Sequence, residues 1–132
     1  MQKILVVDDE SIIRDNLERI LTEESYTVVT VPTGEKALSV LEENDLDVML
    51  LDLNLPDISG LEVLQKAKEL DPELMVIIIT GYASVESAVK ALKLGAYDYI
   101  KKPFKADVIK LIVRLAFDAQ DLKKQVGNLE RR

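Results

Sequence analysis

Three short runs, residues 4–7, 48–51 and 75–79, contain nothing but apolar side chains, and each stops at a polar residue that opens a turn. A strand with one face in water alternates apolar and polar residues, so an unbroken run of this length reads as a strand covered on both faces. Two-sided burial belongs to parallel sheets, whose crossover connections lay helices over both faces. The intervening segments fit. Ile13, Leu17, Ile20 and Leu21 fall at helical spacing, as do Ala37, Leu38 and Leu41, then Leu61, Leu64 and Ala67, then Val85, Ala88, Val89 and Leu92 behind a capping Ser84. Residues 27–31 are β-branched enough for a second strand, and residues 97–100 make a fifth, interrupted by Asp98. A last helix starts near Lys105. This alternation predicts a doubly wound α/β domain, a five-stranded parallel sheet with an extended C-terminal helix, for which 2-1-3-4-5 is a common strand order and the one expected here.

The polar residues that end the strands carry the chemistry. Asp8 and Asp9 follow the first strand, Asp52 the third, Thr80 the fourth and Lys102 the fifth. Pro56, Asp57, Ser59 and Gly60 supply turn and cap residues after Asp52, which keeps it at the carboxyl end of a central strand. In open α/β sheets that edge, at the switch between strands one and three, is where ligands bind. Two carboxylates about 5 Å apart at an effective dielectric of about 20 repel by roughly 3 kcal/mol, so three together call for cations. Lys102 supplies one charge. A divalent ion held by oxygen donors alone supplies the rest, and such a set suits Mg²⁺ better than a soft metal. A carboxylate nucleophile, a hydroxyl, an ammonium and Mg²⁺ are the equipment for phosphoryl transfer onto Asp52. Taken singly, each residue reads as a cap, a turn or a surface charge; their joint place at the strand ends makes the pattern.

Composition narrows the remaining choices. A chain of 132 residues, 48% hydrophobic, is the size of one domain with a proper core. A net charge of -7 argues against gripping a phosphate backbone. Without Cys there is neither a disulfide framework nor a thiolate metal site, which suits a reducing cytoplasm. The amino-terminal apolar run is too short for a signal or spanning helix, so a cytoplasmic location away from membranes is expected. There is no His.

With Val6-Val7-Asp8-Asp9-Glu10, Leu51-Asp52-Leu53-Asn54-Leu55-Pro56 with Gly60, Thr80-Gly81 and Tyr99-Ile100-Lys101-Lys102-Pro103-Phe104, residues 3–118 resemble the receiver domain of two-component response regulators. The resemblance implies that Asp52 is the phosphoacceptor, that Asp8, Asp9 and Asp52 hold Mg²⁺ with the Asn54 backbone carbonyl, and that Lys102 pairs with the phosphoryl group. It makes Thr80 the switch hydroxyl and Tyr99 the aromatic residue that moves inward behind it. The donor it implies is a phosphohistidine on a sensor histidine kinase, which a chain without His cannot supply itself. By the same resemblance the kinase docks near Ile12, Ile13, Arg14, Pro103 and Phe104; separately, Tyr82, two residues after Thr80, is a candidate shield of the water path to the phosphoryl group.

The tail carries its own pattern. Val108, Leu115, Leu122 and Leu129 recur every seven residues, with Ile112, Ala119 and Val126 as a second series, an a/d seam that predicts a parallel coiled-coil dimer. The expected division is a receiver over residues 1–118 and a helical linker over 119–132. With Gly81-Tyr82-Ala83-Ser84 and Gly95-Ala96-Tyr97-Asp98-Tyr99, this tail is similar to the receivers of NtrC-type enhancer-binding activators, where the helix leads to an ATPase domain and a DNA-binding domain. No phosphate-binding Walker loop or basic recognition helix occurs within these 132 residues. Two other functions fit this sequence less well. An aspartyl-phosphate phosphohydrolase puts its nucleophile after the first strand and a general acid two residues on, where this chain has Asn54. A phosphorylation-independent dimerisation module leaves the cost of the acidic cluster unexplained.

Overall fold

The structure, a computed structural model, describes residues 2–130, with side chains through residue 126. The elements run β1 (Lys3–Val7), α1 (Ser11–Glu23), β2 (Thr27–Val31), α2 (Gly34–Glu43), β3 (Val48–Leu51), α3 (Gly60–Leu70), β4 (Met75–Thr80), α4 (Val85–Lys93), β5 (Asp98–Lys101) and α5 (Ala106–Glu130). The strands form one parallel sheet in the expected order β2-β1-β3-β4-β5. The three unbroken apolar runs are its central strands, and all their residues are buried.

Strand periodicity splits the apolar residues between two cores. Ile4, Val6, Val48, Leu50, Ile77 and Ile79 face Leu17 and Leu21 of α1 and Ile109, Val113 and Phe117 of α5. Leu5, Val7, Met49, Leu51, Val76 and Ile78 face Ala37 of α2 and Val63, Leu64 and Ala67 of α3. One register row joins Val31, Val7, Leu51, Ile78 and Tyr99 across the five strands. Asp8 and Asp52 each lie one residue past that row, on neighbouring strands.

Two helices differ from their sequence patterns. In α3, Val63 is buried while Leu61 is only partly so. In α4 the apolar face points outward: Val85, Val89 and Leu92 are 83%, 44% and 51% exposed, and Ala91 is the one buried residue of the helix. A small side chain there lets the helix lie close to the second core beside Ala96, and the larger residues are left on the far side.

Helix α5 is held through Ile109, Val113, Ala116 and Phe117, then Gln120. The Gln120 side-chain amide, 3% exposed, donates to the backbone carbonyls of Asp47 at 2.9 Å and Glu73 at 3.1 Å. It thereby fastens the helix to the loops before β3 and β4, and residues 121–126 beyond it are exposed. In the seven-residue series, Val108, Leu115, Leu122 and Val126 are exposed, while Ile112 and Ala119 lean on the first core. Gly127, Asn128 and Leu129 lie outside the residues whose side chains are described. Among the described residues no helix is long and apolar enough to cross a membrane.

Gln120→Ala removes two buried hydrogen bonds and should lower unfolding free energy by about 1–3 kcal/mol. Lys124, exposed and 4.0 Å from the Asp47 carboxylate, should cost less than about 1 kcal/mol on replacement by Ala. Urea denaturation of the two variants checks the contrast.

Candidate functional site

Backbone bonds bring the strand ends together before any side chain acts. The Asp52 N–H donates to the Val7 carbonyl at 3.0 Å, the Asp8 N–H to Val31 at 3.2 Å, and the Lys102 N–H to Thr80 at 2.9 Å. Lys102 therefore continues β5 beside the end of β4, and its side chain reaches back over β3. Its Nζ donates to Asp8 Oδ2 at 2.7 Å and to Asp52 Oδ2 at 3.0 Å. The other oxygens are engaged locally: Asp8 Oδ1 accepts from the Glu10 N–H at 2.9 Å and Asp52 Oδ1 from the Asn54 N–H at 3.1 Å. Asp8 and Asp52 are 2% and 5% exposed, while Asp9 is exposed. One oxygen from each of the three carboxylates lies within 4.8 Å of the others.

Supporting contacts hold the loops around this cluster. A Cβ on Gly60 would sit 2.4 Å from both the Asp52 carbonyl oxygen and the Leu53 Cα, so only glycine lets the start of α3 fold back against β3. The Gly60 N–H closes that loop on the Leu53 carbonyl at 2.9 Å. The Asp57 carboxylate accepts from the N–H groups of Glu35 at 2.8 Å and Gly34 at 3.0 Å, capping α2. Those bonds, the Glu35 one foremost, hold the Asp57 carboxyl below its ordinary pKa. The Arg14 guanidinium donates to the Asp8 carbonyl at 2.7 Å. Arg14 thus braces the acidic cluster from α1, so charge reversal there acts on the cluster as well as on any docking surface.

Thr80 is fully buried, and its hydroxyl accepts from the Tyr82 N–H at 3.2 Å. The Tyr99 hydroxyl meets the Ser87 hydroxyl of α4 at 2.6 Å. The structure therefore brings Asp8, Asp9, Asp52 and Lys102 into one cluster and sets Asn54 against the Asp52 carboxylate, with Thr80 at the end of β4 and Tyr99 within β5. Arg14, Asp57 and Ser87 were not singled out by sequence for these contacts. The spacing of Ser84 and Ser87 does carry a capping signal, and their side chains form a capping box, but nothing local announces Tyr99 as a partner.

The electrostatics are close to balance. At an effective dielectric of about 20, carboxylate oxygens within 4.8 Å of one another repel by at least about 3.5 kcal/mol per pair, and each Lys102 contact attracts by about 6. Repulsion and attraction nearly cancel, which leaves the burial of the charges uncompensated. Burial accordingly pushes the Asp8 carboxyl above its ordinary pKa, only partly offset by the bonds from Lys102 and the Glu10 N–H. Burial also opposes the charge on Lys102, but its bonds to Asp8 and Asp52 prevail and its pKa is raised. Oxygen donors alone and an excess of negative charge fit a hard divalent cation.

A raised Asp8 pKa means the fold disfavours the Asp8 charge: the penalty is absent below the ordinary carboxylate range and grows as pH rises through the folded pKa. Asp8→Asn should therefore raise the melting temperature at pH 7 in chelator, by an amount equivalent to about 1 kcal/mol, and the gain should close toward acid. Added Mg²⁺ should stabilise the wild type more than the variant. Thermal melts across pH, with and without Mg²⁺, check both.

Comparison with known proteins agrees with this geometry. The family model for the response regulator receiver domain matches residues 4–114. Regulatory protein AtoC of Escherichia coli (strain K12) is 35% identical over 129 residues, which are 98% of this chain and 28% of AtoC. The structure of NtrX from Brucella abortus in complex with ADP superposes with a TM-score of 0.91 at 39% identity, covering 100% of this chain and 30% of that one. The beryllofluoride-activated NtrC4 receiver domain, solved as a dimer in solution, gives a TM-score of 0.87 at 40% identity and covers 91% of this chain and 99% of that one. The chain thus spans under a third of AtoC and NtrX. It belongs to the response regulator receiver domain family and is related to the receivers of NtrC-type activators.

Proposed function

We propose that Asp52 is the phosphoacceptor, taking a phosphoryl group from a phosphohistidine of a sensor histidine kinase. The observation that carries this reading is the meeting of the Lys102 ammonium with two buried carboxylates, Asp8 and Asp52. In the transfer an Asp52 carboxylate oxygen bonds to phosphorus as the phosphorus–nitrogen bond breaks, and the imidazole keeps the electron pair and leaves neutral with one proton. Asp8, Asp9, Asp52 and the Asn54 backbone carbonyl would hold Mg²⁺, whose charge when bound offsets that of the phosphoryl oxygens. Lys102, already on Asp52 Oδ2, pairs with one of those oxygens. The Thr80 hydroxyl turns from the Tyr82 N–H to donate to another, and Tyr99 follows it inward. Tyr82, 73% exposed beside this path, is the candidate shield against hydrolysis.

The output is a change in self-association. Val108, Leu115 and Leu122 form an exposed apolar series on α5, which suits a parallel pairing with a second copy and the linker role of residues 119–132. The dimeric NtrC4 receiver supports self-association without specifying its face. The greater lengths of AtoC and NtrX, with ADP bound to the latter, support an ATPase domain beyond the linker as the element controlled. Incubation with Mg²⁺ and a small phosphodonor should give one phosphoryl adduct on the wild type, none on Asp52→Ala, and a shift in sedimentation for the wild type alone. An adduct on both proteins by intact mass overturns the assignment of Asp52.

The kinase reads α1 and the loop after β5. Ile12, 80% exposed, offers the cleanest probe, because Arg14 braces Asp8 and Ile13 and Phe104 pack on the first core. Ile12→Asp should slow transfer from a kinase that labels the wild type by about tenfold or more, with labelling by the small phosphodonor unchanged. Equal losses with both donors would mean that Ile12 acts through the site.

A further inference from the structure

Helix α4 is held to the body of the domain by little. Ala91 is its one buried residue, and the larger apolar side chains Val85, Val89 and Leu92 face outward. Among the described residues a single hydrogen bond joins a side chain of α4 to another element, the 2.6 Å contact between the Ser87 and Tyr99 hydroxyls. Elements with few buried groups and few tertiary bonds open at low free energy, so one bond weighs heavily here.

The Ser87 hydroxyl lies 3.2 Å from the Ser84 carbonyl and 2.6 Å from the Tyr99 hydroxyl, and either of the two hydroxyls can donate in the contact between them. The Ser84 hydroxyl in turn caps the helix through the Ser87 N–H at 3.0 Å. The phenol of Tyr99 is therefore tied to the first turn of α4 and its cap together. At its other end, Tyr99 lies on β5 two residues before Lys101, which pairs with Thr80, and three before Lys102, whose ammonium rests on Asp52. Bonded contacts and one strand connect Asp52 to α4 without a gap.

We propose that Ser87 is a positioning residue that couples Tyr99 to α4, so that displacement of the Tyr99 ring shifts the exposed face formed by Val85, Val89 and Leu92. This rests on the reading of Asp52 as phosphoacceptor and Tyr99 as switch residue, and it names the group through which Tyr99 acts on the surface. Ser87 touches neither the carboxylates nor Lys102, so its replacement leaves the phosphorylation chemistry in place.

The test is amide hydrogen exchange over residues 88–93, on the whole chain with and without Mg²⁺ and a small phosphodonor, with intact mass measured on the same samples. Without phosphodonor, Ser87→Ala and Tyr99→Phe should each speed exchange about fivefold, the worth of one hydrogen bond. The double variant should exchange no faster than either single one, and Ser87→Thr should keep the wild-type rate. Phosphorylation should alter exchange in this helix in the wild type and by less than half as much in Ser87→Ala. Additive effects in the double variant, or an undiminished response in phosphorylated Ser87→Ala, overturn the coupling and leave the phosphoacceptor standing. Absence of an adduct on the wild type overturns the phosphoacceptor reading, and the coupling with it.

Discussion

Buried carboxylates held together against their own repulsion, with one ammonium between them, are the constraint to which the rest of the structure answers. Free in solution, Asp8, Asp9 and Asp52 would separate. Here Asp8 and Asp52 end neighbouring strands whose other residues are buried on both faces. Each fully buried Val, Leu or Ile contributes about 1.5–3 kcal/mol, so a few of them outweigh a repulsion of about 3.5 kcal/mol between two carboxylates. The apolar strands thereby hold the charges out of water, and the raised Asp8 pKa expresses the cost of that burial.

Position also depends on what fixes the loops, and there the agents are backbone groups more than side chains. Gly60 lets α3 press against the Asp52 peptide, Asp57 ties the loop after β3 to α2, and Arg14 grips the Asp8 carbonyl. Each of these acts on the peptide frame and leaves the carboxylate oxygens to Lys102 and two N–H groups. The peptide frame is thus fixed by one set of contacts and the carboxylate oxygens are held by another, which preorganises the charges of the cluster.

The central strands and the charges at their ends were legible because both are local: an unbroken apolar run followed by an Asp states its burial and its boundary in six residues. The parallel sheet followed from the alternation of strands and helices, and its order is the common one for such a chain. Helix α4 was legible as a helix but not in its orientation, since Val85, Val89 and Leu92 give the same stripe whether it faces a core or solvent, and Ala91 alone decides. Contacts made far along the chain left no pattern. Gln120 meets carbonyls 73 and 47 residues away, and a Gln on a helix ordinarily signals only an exposed face. The site residues were legible by kind and placement, whereas Ser87 gained its meaning only once β5 was laid beside α4.

Two helices carry exposed apolar residues, and they differ in how firmly they are held. Helix α5 is anchored through four buried apolar side chains and the two hydrogen bonds of Gln120, a sum that no single hydrogen bond can shift far. Helix α4 is anchored by a methyl group and one hydroxyl pair. A change of charge at Asp52 is worth a few kcal/mol across contacts of about 3–5 Å. That is small beside the hold on α5 and large beside the hold on α4. A displacement of Tyr99 would therefore move α4 sooner than α5, whose axis is fixed by its buried side chains and Gln120.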